Sequence, residues 1–367
     1  MSEEDHAPMA PTITEDGDDV PVARRRRRWL RWRLLVPVVL AIGGAAAGIA
    51  WTQTPEICRT ETAGCGRVLV ERVSERVGPP EEPDESQLEV VAADHEIEFY
   101  GMQYPTPGSY GTMQDLNIDT ILIDFAIGAG PEEWMRQLDE ADAAGLRVVA
   151  WLWTPGWVWD DAGEQWIIND EGRSFLTTVE GHPALLAVYG THEAYWNECF
   201  GCGYNTAQLQ MLYRQIKEIA DVPIYSAFDG FAFWEDFSDE TTFSDGICDY
   251  CDTWYYPVLA DGTYDRAEYI NRLREEVETF RELAPNSKFV WVLQSFSSEL
   301  SGRSLPDEEE LADMAELAAR VDIDGIWWYV WSFDQSQYQE VLGGQPELHD
   351  VVRESHELFH PLEEGGE

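Results

Sequence analysis

Eight short apolar runs recur along the chain from residue 95 onward, and most of them are followed by a helical pattern. They cover residues 97–103, 120–125, 146–153, 185–189, 223–228, 249–256, 288–293 and 325–331. Because the runs are continuously apolar, both faces of each strand are expected to be buried, as in a parallel sheet. The pattern predicts an α/β fold of the (β/α)8 or TIM-barrel type over residues 95–362. A doubly wound open sheet is the alternative, but no Gly-rich phosphate loop follows the first run.

The helical patterns between the runs have recognisable ends. The first begins at Pro131 and stops before Gly145, which are favoured positions for these two residue types. Helices are expected over residues 131–144, 171–180, 206–220, 264–283, 307–321 and 346–359.

The N-terminal part of the chain has a different character. Residues 1–33 are polar and end in an Arg-rich block, which predicts a disordered cytoplasmic tail. Residues 34–53 contain no charged side chain and are long enough to cross a bilayer as a helix. The preceding Arg block predicts a single-pass signal anchor with its N-terminus in the cytoplasm. A twin-arginine export signal that is cleaved, which would give a secreted protein, and a buried core helix remain as alternatives.

Residues 54–94 are rich in Pro and acidic residues and predict an extracellular stalk. The barrel would therefore lie outside the cell. In that compartment, disulfides are the expected state of the three closely spaced cysteine pairs. These pairs are Cys58 with Cys65, Cys199 with Cys202, and Cys248 with Cys251. For the two CxxC pairs, a four-thiolate zinc site and free thiols remain as alternatives.

The net charge of the chain is −46, and Lys217 and Lys288 are its only lysines. So acidic a surface repels nucleic acid and anionic lipid head groups, which excludes both as binding partners. It fits a neutral or cationic partner, or a habitat with a high salt concentration. Aromatic residues make up 12% of the chain, with 16 Trp, which suits a large core or a carbohydrate groove.

The fourth apolar run leads directly into His192 and Glu193, with Trp196 shortly after. In a parallel barrel this is the end where catalytic side chains lie, so Glu193 is a candidate general acid. Polar and aromatic residues stand at the ends of the other runs in the same way. They include Asp124, Trp153, Asp229, Tyr256, Gln294 and Trp331.

Several of these strand ends together resemble the (β/α)8 glycoside hydrolase superfamily. They are most similar to a loosely defined group of barrels with D-E-P, Y-P, L-Q-x-F and Y-x-W at the ends of strands four, six, seven and eight. The corresponding residues here are Thr191-His192-Glu193, Tyr256-Pro257 with Asp252 before them, Leu293-Gln294-Ser295-Phe296, and Tyr329-Val330-Trp331.

The resemblance implies a glycosidase-like site on a carbohydrate, with Glu193 as proton donor. Retaining barrels carry their second carboxylate at the end of strand seven, where this chain has Gln294, so Asp229 or Asp124 is expected to supply it. The expected sugar-binding residues are His192, Trp153, Trp196, Tyr256, Gln294 and Trp331. No cofactor and no metal is implied.

Two other functions remain as alternatives. The first is an inactive carbohydrate-binding or cell-envelope scaffold protein on a glycosidase barrel, which Gln294 favours. The second is a metal-dependent hydrolase, which the small number of His residues, 7 in the chain, disfavours.

Overall fold

The computed structural model describes residues 97–125, 129–152, 156–160, 162–193, 204–228, 230, 243–332 and 338–360. All of them belong to one compact unit, Glu82–Glu367. The predicted tail, membrane anchor and stalk lie outside the described residues, as do Cys58 and Cys65. Among the described helices, none combines the length and the apolar character that crossing a bilayer requires.

Eight parallel strands close into a barrel, as the sequence predicts. They are β1 Phe99–Gln103, β2 Thr120–Phe125, β3 Arg147–Leu152, β6 Leu185–Thr191, β7 Ile224–Ala227, β8 Tyr250–Trp254, β9 Lys288–Gln294 and β11 Gly325–Tyr329. Their order around the barrel is β1, β11, β9, β8, β7, β6, β3, β2. Closure comes from β1, which pairs in parallel with both β2 and β11.

Two small antiparallel pairs stand outside the barrel, and the sequence analysis did not predict either of them. A hairpin of β4, Trp157–Asp160, and β5, Gln165–Ile168, follows β3. The short strands β10, Phe296–Ser297, and β12, Glu340–Val341, pair after β9. In the hairpin, apolar side chains occupy both faces, so the run lacks the polar alternation that identifies a surface strand.

The helices lie between the strands near the predicted positions. They are α1 Tyr110–Asp115, α2 Pro131–Ala143, α3 Asp170–Val179, α4 Thr206–Ile219, α5 Arg266–Leu283, α6 Glu308–Ala318 and α7 His349–Phe359, with 3-10 turns at Pro107–Ser109, Leu342–Gly344 and Pro346–Leu348. Side chains cap several N-termini, and α4 and α6 begin with complete capping boxes at Asn205 and Asp307. The short helix α1 is absent from the predicted set.

The apolar residues form two cores, one between barrel and helices and one inside the barrel. The inner core includes several large rings, among them Phe99, Tyr225, Tyr250 and Trp327. Because side chains alternate along a strand, every second residue of each run faces this interior. The barrel is thus filled by aromatic packing up to its carboxyl end.

The opposite, amino-terminal end of the barrel holds a disulfide and several ion pairs. Cys248 and Cys251 form a buried disulfide just before and within β8, which confirms that predicted pairing. Cys199 and Cys202 lie outside the described residues. At this end, Lys217 pairs with Asp249, Lys288 with Glu98, and Arg147 with Asp119.

Candidate active site at the carboxyl ends of the barrel strands

Six aromatic side chains form a closed circle at the carboxyl ends of the strands. In order they are Tyr104, Trp151, His192, Trp254, Tyr256 and Tyr329. The centroids of neighbouring rings are 5.3–6.5 Å apart all the way round. We call this set the mouth ring.

The alternation of side chains along the strands explains how the mouth ring arises. Val149 belongs to the inner core, so Trp151, two residues further along β3, also faces inward. The same spacing relates Trp327 to Tyr329 on β11. Tyr104 follows β1 with a left-handed φ of 57°, and its ring packs against the inner core.

The end of β6 is irregular, and it delivers Glu193 to the mouth. The register between β6 and β7 shifts between Tyr189 and Thr191. At Gly190 the strands are so close that a Cβ would lie 2.8 Å from the Cγ2 atom of Ile224. Glu193 has a φ of 44°, a conformation that costs a non-glycine residue about 1–3 kcal/mol. Strain of this kind, held by a packed scaffold, is often found at functional positions.

His192 connects Glu193 to the inner core. Its Nδ1 atom lies 2.9 Å from the hydroxyl of Tyr189, and its Nε2 atom lies 3.7 Å from Oε1 of Glu193. Burial lowers the pKa of His192 from its usual value, an effect that the charge of Glu193 opposes. Burial also raises the pKa of Tyr189 well above its ordinary value, so its hydroxyl keeps its proton. When Tyr189 donates to Nδ1, the neutral imidazole presents its Nε2–H toward Glu193.

Asp124 is the second carboxyl that reaches the mouth. It pairs in register with Trp151, so both side chains point into the barrel, and the carboxyl is open to solvent there. The surrounding protein nevertheless removes enough water to raise the pKa of Asp124 to about 7. Asp124 and Glu193 both act on Tyr189, because the charge of each contributes to the raised pKa of that phenol. The structure therefore brings these two predicted residues to one site.

Asp252 lies deeper, below the mouth ring. It pairs in register with Ala227 and Val290 of the inner core, so its side chain points into the barrel. Oδ2 accepts a hydrogen bond from the hydroxyl of Tyr225, while the buried Oδ1 has no hydrogen-bond partner among the described residues. Burial first, and then the charge of Glu193, raise the pKa of Asp252 well above its ordinary value.

Gln294 ends β9, and its side-chain amide is hydrogen-bonded to backbone groups. Oε1 accepts a hydrogen bond from the N–H of Val258 at 3.0 Å. Nε2 donates to the carbonyls of Ser304 at 2.7 Å and of Val258 and Phe296 at 3.3 Å. The side chain is fully buried, so in this arrangement it holds the segments that follow β8 and β9.

The remaining predicted residues are distributed as follows. Tyr256 belongs to the mouth ring, as does His192. The structure does not bring Trp331 to the ring, because its side chain packs in the outer core against His349 at 5.2 Å. Trp153, Trp196 and Asp229 lie outside the described residues, so their predicted roles stay predictions.

The sequence analysis did not select several residues that the structure places at the mouth. Trp151, Trp254 and Tyr189 lie inside apolar strand runs, where composition alone does not separate inward from outward side chains. These residues can be identified because side chains alternate along a strand. Every second residue of a run faces the interior, counted from one residue whose inward direction is known.

Metal-ligating side chains do not converge in the parts of the chain that the structure describes, where no group of three or more His, Cys, Asp or Glu is placed to hold an ion.

No protein-family model matches the chain, and neither does any curated protein sequence. Similar solved structures include Gas2 of Saccharomyces cerevisiae, with 13% identity, a TM-score of 0.47 and coverage of 71% of this chain and 63% of that one. A putative alpha-L-fucosidase from Bacteroides thetaiotaomicron has 14% identity, a TM-score of 0.48 and coverage of 77% and 98%. A GH113 beta-1,4-mannanase has 14% identity, a TM-score of 0.47 and coverage of 72% and 99%.

These neighbours are glycoside hydrolase barrels, and the chain spans less than two thirds of the Gas2 chain. Similarity at this level does not extend to activity, which has to be inferred from the side chains of the mouth.

Proposed function

We propose that the protein is a glycoside hydrolase that cleaves glycosidic bonds of a polysaccharide or glycoconjugate. The observation that carries the proposal is the pair Glu193 and Asp124, two carboxyls at strand ends within one aromatic mouth. Among the described residues, neither forms an ion pair with a Lys or Arg. Glycosidic hydrolysis by a barrel of this kind needs two such carboxyls on either side of the bond, and aromatic faces to hold the sugar.

The surroundings of the two carboxyls indicate which of them acts as the acid and which as the partner carboxylate. Burial raises the pKa of Asp124 to about 7, so a large fraction of it carries a proton at neutral pH. Asp124 is therefore assigned as the acid that protonates the leaving glycosidic oxygen, and Glu193 as the partner carboxylate. This is the reverse of the roles expected from the sequence, and the two assignments predict opposite pH profiles.

The position of the strands fits an inverting reaction. β2 and β6 flank β3, so the two carboxyls come from strands whose backbones are about 10 Å apart. In an inverting reaction, a water molecule lies between the two carboxyls. In this reaction Glu193 takes a proton from that water as its oxygen attacks the anomeric carbon. The bond to the leaving oxygen breaks as Asp124 protonates that oxygen. His192, held by Tyr189, would keep the carboxylate of Glu193 oriented.

The direct test compares the full chain with two variants on a panel of polysaccharides, with released reducing ends as the readout. Glu193→Gln and Asp124→Asn are each expected to lower kcat/KM by about 10²–10⁴-fold. Glu164→Gln is a matched control, because Glu164 is an exposed Glu that also has a positive φ, 48°. Equal release by the parent and Glu193→Gln would remove Glu193 from the mechanism.

A carbohydrate-binding protein without catalysis is the second candidate, and Gln294 favours it. The amide of Gln294 stands where retaining barrels carry a carboxylate, and the backbone holds it. Binding of an oligosaccharide by the parent, retained in Glu193→Gln, without release from any substrate would support this function instead.

The proposed place of action is the cell surface. The support is in the sequence, where an Arg block precedes an uncharged stretch at residues 34–53 and a Pro-rich acidic stretch follows it. Fractionation of cells that produce the full chain tests this proposal, because an anchored protein stays with the membrane after washing with salt.

A further inference from the structure

The mouth ring surrounds the carboxyl end of the barrel with aromatic side chains. Its neighbouring centroids are 5.3–6.5 Å apart. Aromatic faces of this kind bind the apolar faces of sugar rings.

Among the described residues, the carboxyls of the mouth have no Lys or Arg partner. No Lys or Arg of the described residues forms an ion pair with Glu193, Asp124 or Asp252, although Arg303 is close enough to act electrostatically on Tyr256. The lysines are used at the opposite end of the barrel, where Lys217 and Lys288 pair with acids. The mouth therefore combines aromatic faces, which attract cations, with unpaired carboxyls.

A second observation points to a ligand at the base of the mouth. Asp252 faces into the barrel, and its Oδ1 atom is buried without a hydrogen-bond partner among the described residues. A buried polar atom without a partner is destabilising by about 1–3 kcal/mol. A donor group on a ligand would satisfy this oxygen.

From these contacts we propose that the sugar bound in the mouth ring is an amino sugar with a free, protonated amine. This inference rests on the proposed function and names its substrate class. A neutral sugar would gain hydrogen bonds from its hydroxyls to the carboxyls but no attraction between charges, and an anionic sugar would be repelled. An ammonium group gains from both the aromatic faces and the carboxylates, and its N–H groups are donors suited to the free oxygen of Asp252.

Binding of such a cation is linked to protons. An ammonium favours the ionised form of a nearby carboxyl, so it lowers the pKa of Asp124 and Asp252 when it binds. Before binding, Asp124 holds a proton in most molecules at pH 6.5, since burial raises its pKa to about 7. The amino sugar is therefore expected to release protons as it binds, whereas a neutral sugar is not.

The test is calorimetric titration of the full chain at pH 6.5, where a sugar amine is protonated. The ligands are D-glucosamine and D-galactosamine, each compared with its N-acetyl and its neutral hydroxyl counterpart. Because monosaccharides contain no glycosidic bond between sugars, the active parent protein can be used. We expect at least one of the two amino sugars to bind about tenfold or more tightly than its N-acetyl and its neutral hydroxyl counterparts. Titrations in buffers of different ionisation enthalpy are expected to show a net release of protons on binding.

Two variants show whether the mouth ring is responsible. Trp254→Leu keeps an apolar side chain but removes an indole that stacks on His192 and Tyr256, and it is expected to abolish most of the preference for the amine. Trp159→Leu is the matched control, since Trp159 packs on Trp166 in the hairpin outside the ring, and it is expected to keep the preference. Ethanolamine, an amine without a sugar, is expected to bind much more weakly than either amino sugar.

Equal or tighter binding of the N-acetylated or neutral sugars would overturn the inference. The inference would also be overturned if ethanolamine bound as tightly as the amino sugars, or if Trp254→Leu kept the preference for the free amine. None of these results touches the proposed function, which depends on the loss of hydrolysis in Glu193→Gln. Release of reducing ends from a neutral polysaccharide alone would keep the hydrolase and reject the amino sugar.

Discussion

Asp124 is the residue whose protonation decides how the proposed site works near neutral pH. Its carboxyl reaches the solvent of the mouth, yet burial by the surrounding walls raises its pKa to about 7. As the acid, it must carry its proton to act. We expect kcat/KM to be highest below pH 7 and to fall about tenfold per unit above it, because the protonated fraction falls in that way.

The opposite assignment gives the opposite profile. If Asp124 were the base and Glu193 the acid, the rate would rise as the pH passes through 7. Stability provides an independent check, since a carboxyl with a raised folded-state pKa destabilises the fold once the pH exceeds its unfolded-state pKa. Asp124→Asn is therefore expected to unfold at a higher temperature than the parent at pH 8, with a smaller difference at pH 4.

At this scale the strand pattern predicts where Glu193 and Asp124 lie, but it does not predict the contacts of Gln294. Asp124 lies at the end of its apolar run and Glu193 shortly after the fourth run, and a parallel barrel brings the ends of all its strands to one face. Gln294 also ends its strand, but its side-chain amide forms hydrogen bonds with the backbone of Val258 and Ser304. These partners lie in loops, and the pattern of apolar strands does not predict the path of a loop. Trp331 follows β11 and packs outward, since the chain leaves the strand before reaching it.

Among the elements, β6 matters most for the site, because its irregular end sets the position of Glu193. Gly190 lies against β7, and an added Cβ would lie 2.8 Å from Ile224 Cγ2 and 3.0 Å from Ser226 Oγ. We expect Gly190→Ala to lower the free energy of unfolding by about 1–3 kcal/mol, because the two strands must move apart. The shift is also expected to lower kcat/KM more than tenfold, since Glu193 is three residues further along.

A matched control for this substitution is available in α1. A Cβ at Gly111 would meet nothing within 4 Å, and the backbone there is helical. Gly111→Ala is expected to leave activity unchanged and to stabilise the protein slightly, by up to about 1 kcal/mol. Urea unfolding and steady-state kinetics measure both effects. An unchanged rate in Gly190→Ala would show that the end of β6 adjusts without moving Glu193.

The elements themselves show why the barrel is easier to predict than its additions. The eight strands are buried on both faces and therefore appear as continuous apolar runs, such as β9 with seven residues from Lys288 to Gln294. The hairpin of β4 and β5 has Trp157 and Trp166 packed inward and Val158 and Ile167 exposed, so polar alternation is missing. Trp157 is fixed by a hydrogen bond from its Nε1–H to the carbonyl of Gly190, a contact between distant segments that no local pattern contains.

For the whole molecule, the net charge of −46 on 367 residues is the dominant electrostatic property. Like charges repel one another across the surface of the folded chain, and salt weakens this repulsion because it shortens the Debye length from about 10 Å at 0.1 M to about 3 Å at 1 M. Both side chains are exposed in some of the described ion pairs, such as Arg136–Glu140 and Arg353–Asp350, and salt removes little stabilisation from such pairs. The melting temperature is therefore expected to rise between 0.1 and about 2 M potassium chloride.

The same screening should act on ligand binding in the opposite direction. An amino sugar is attracted by Glu193 and Asp124, so its affinity is expected to fall several-fold over a salt range in which the fold becomes more stable. A neutral sugar, which carries no net charge for the carboxylates to attract, should lose little affinity. Parallel melting curves and titrations in potassium chloride separate the two effects. A melting temperature that stays constant or falls as salt is added would mean that repulsion among the acids does not limit stability. That conclusion would hold regardless of how salt changes the affinity for the sugar.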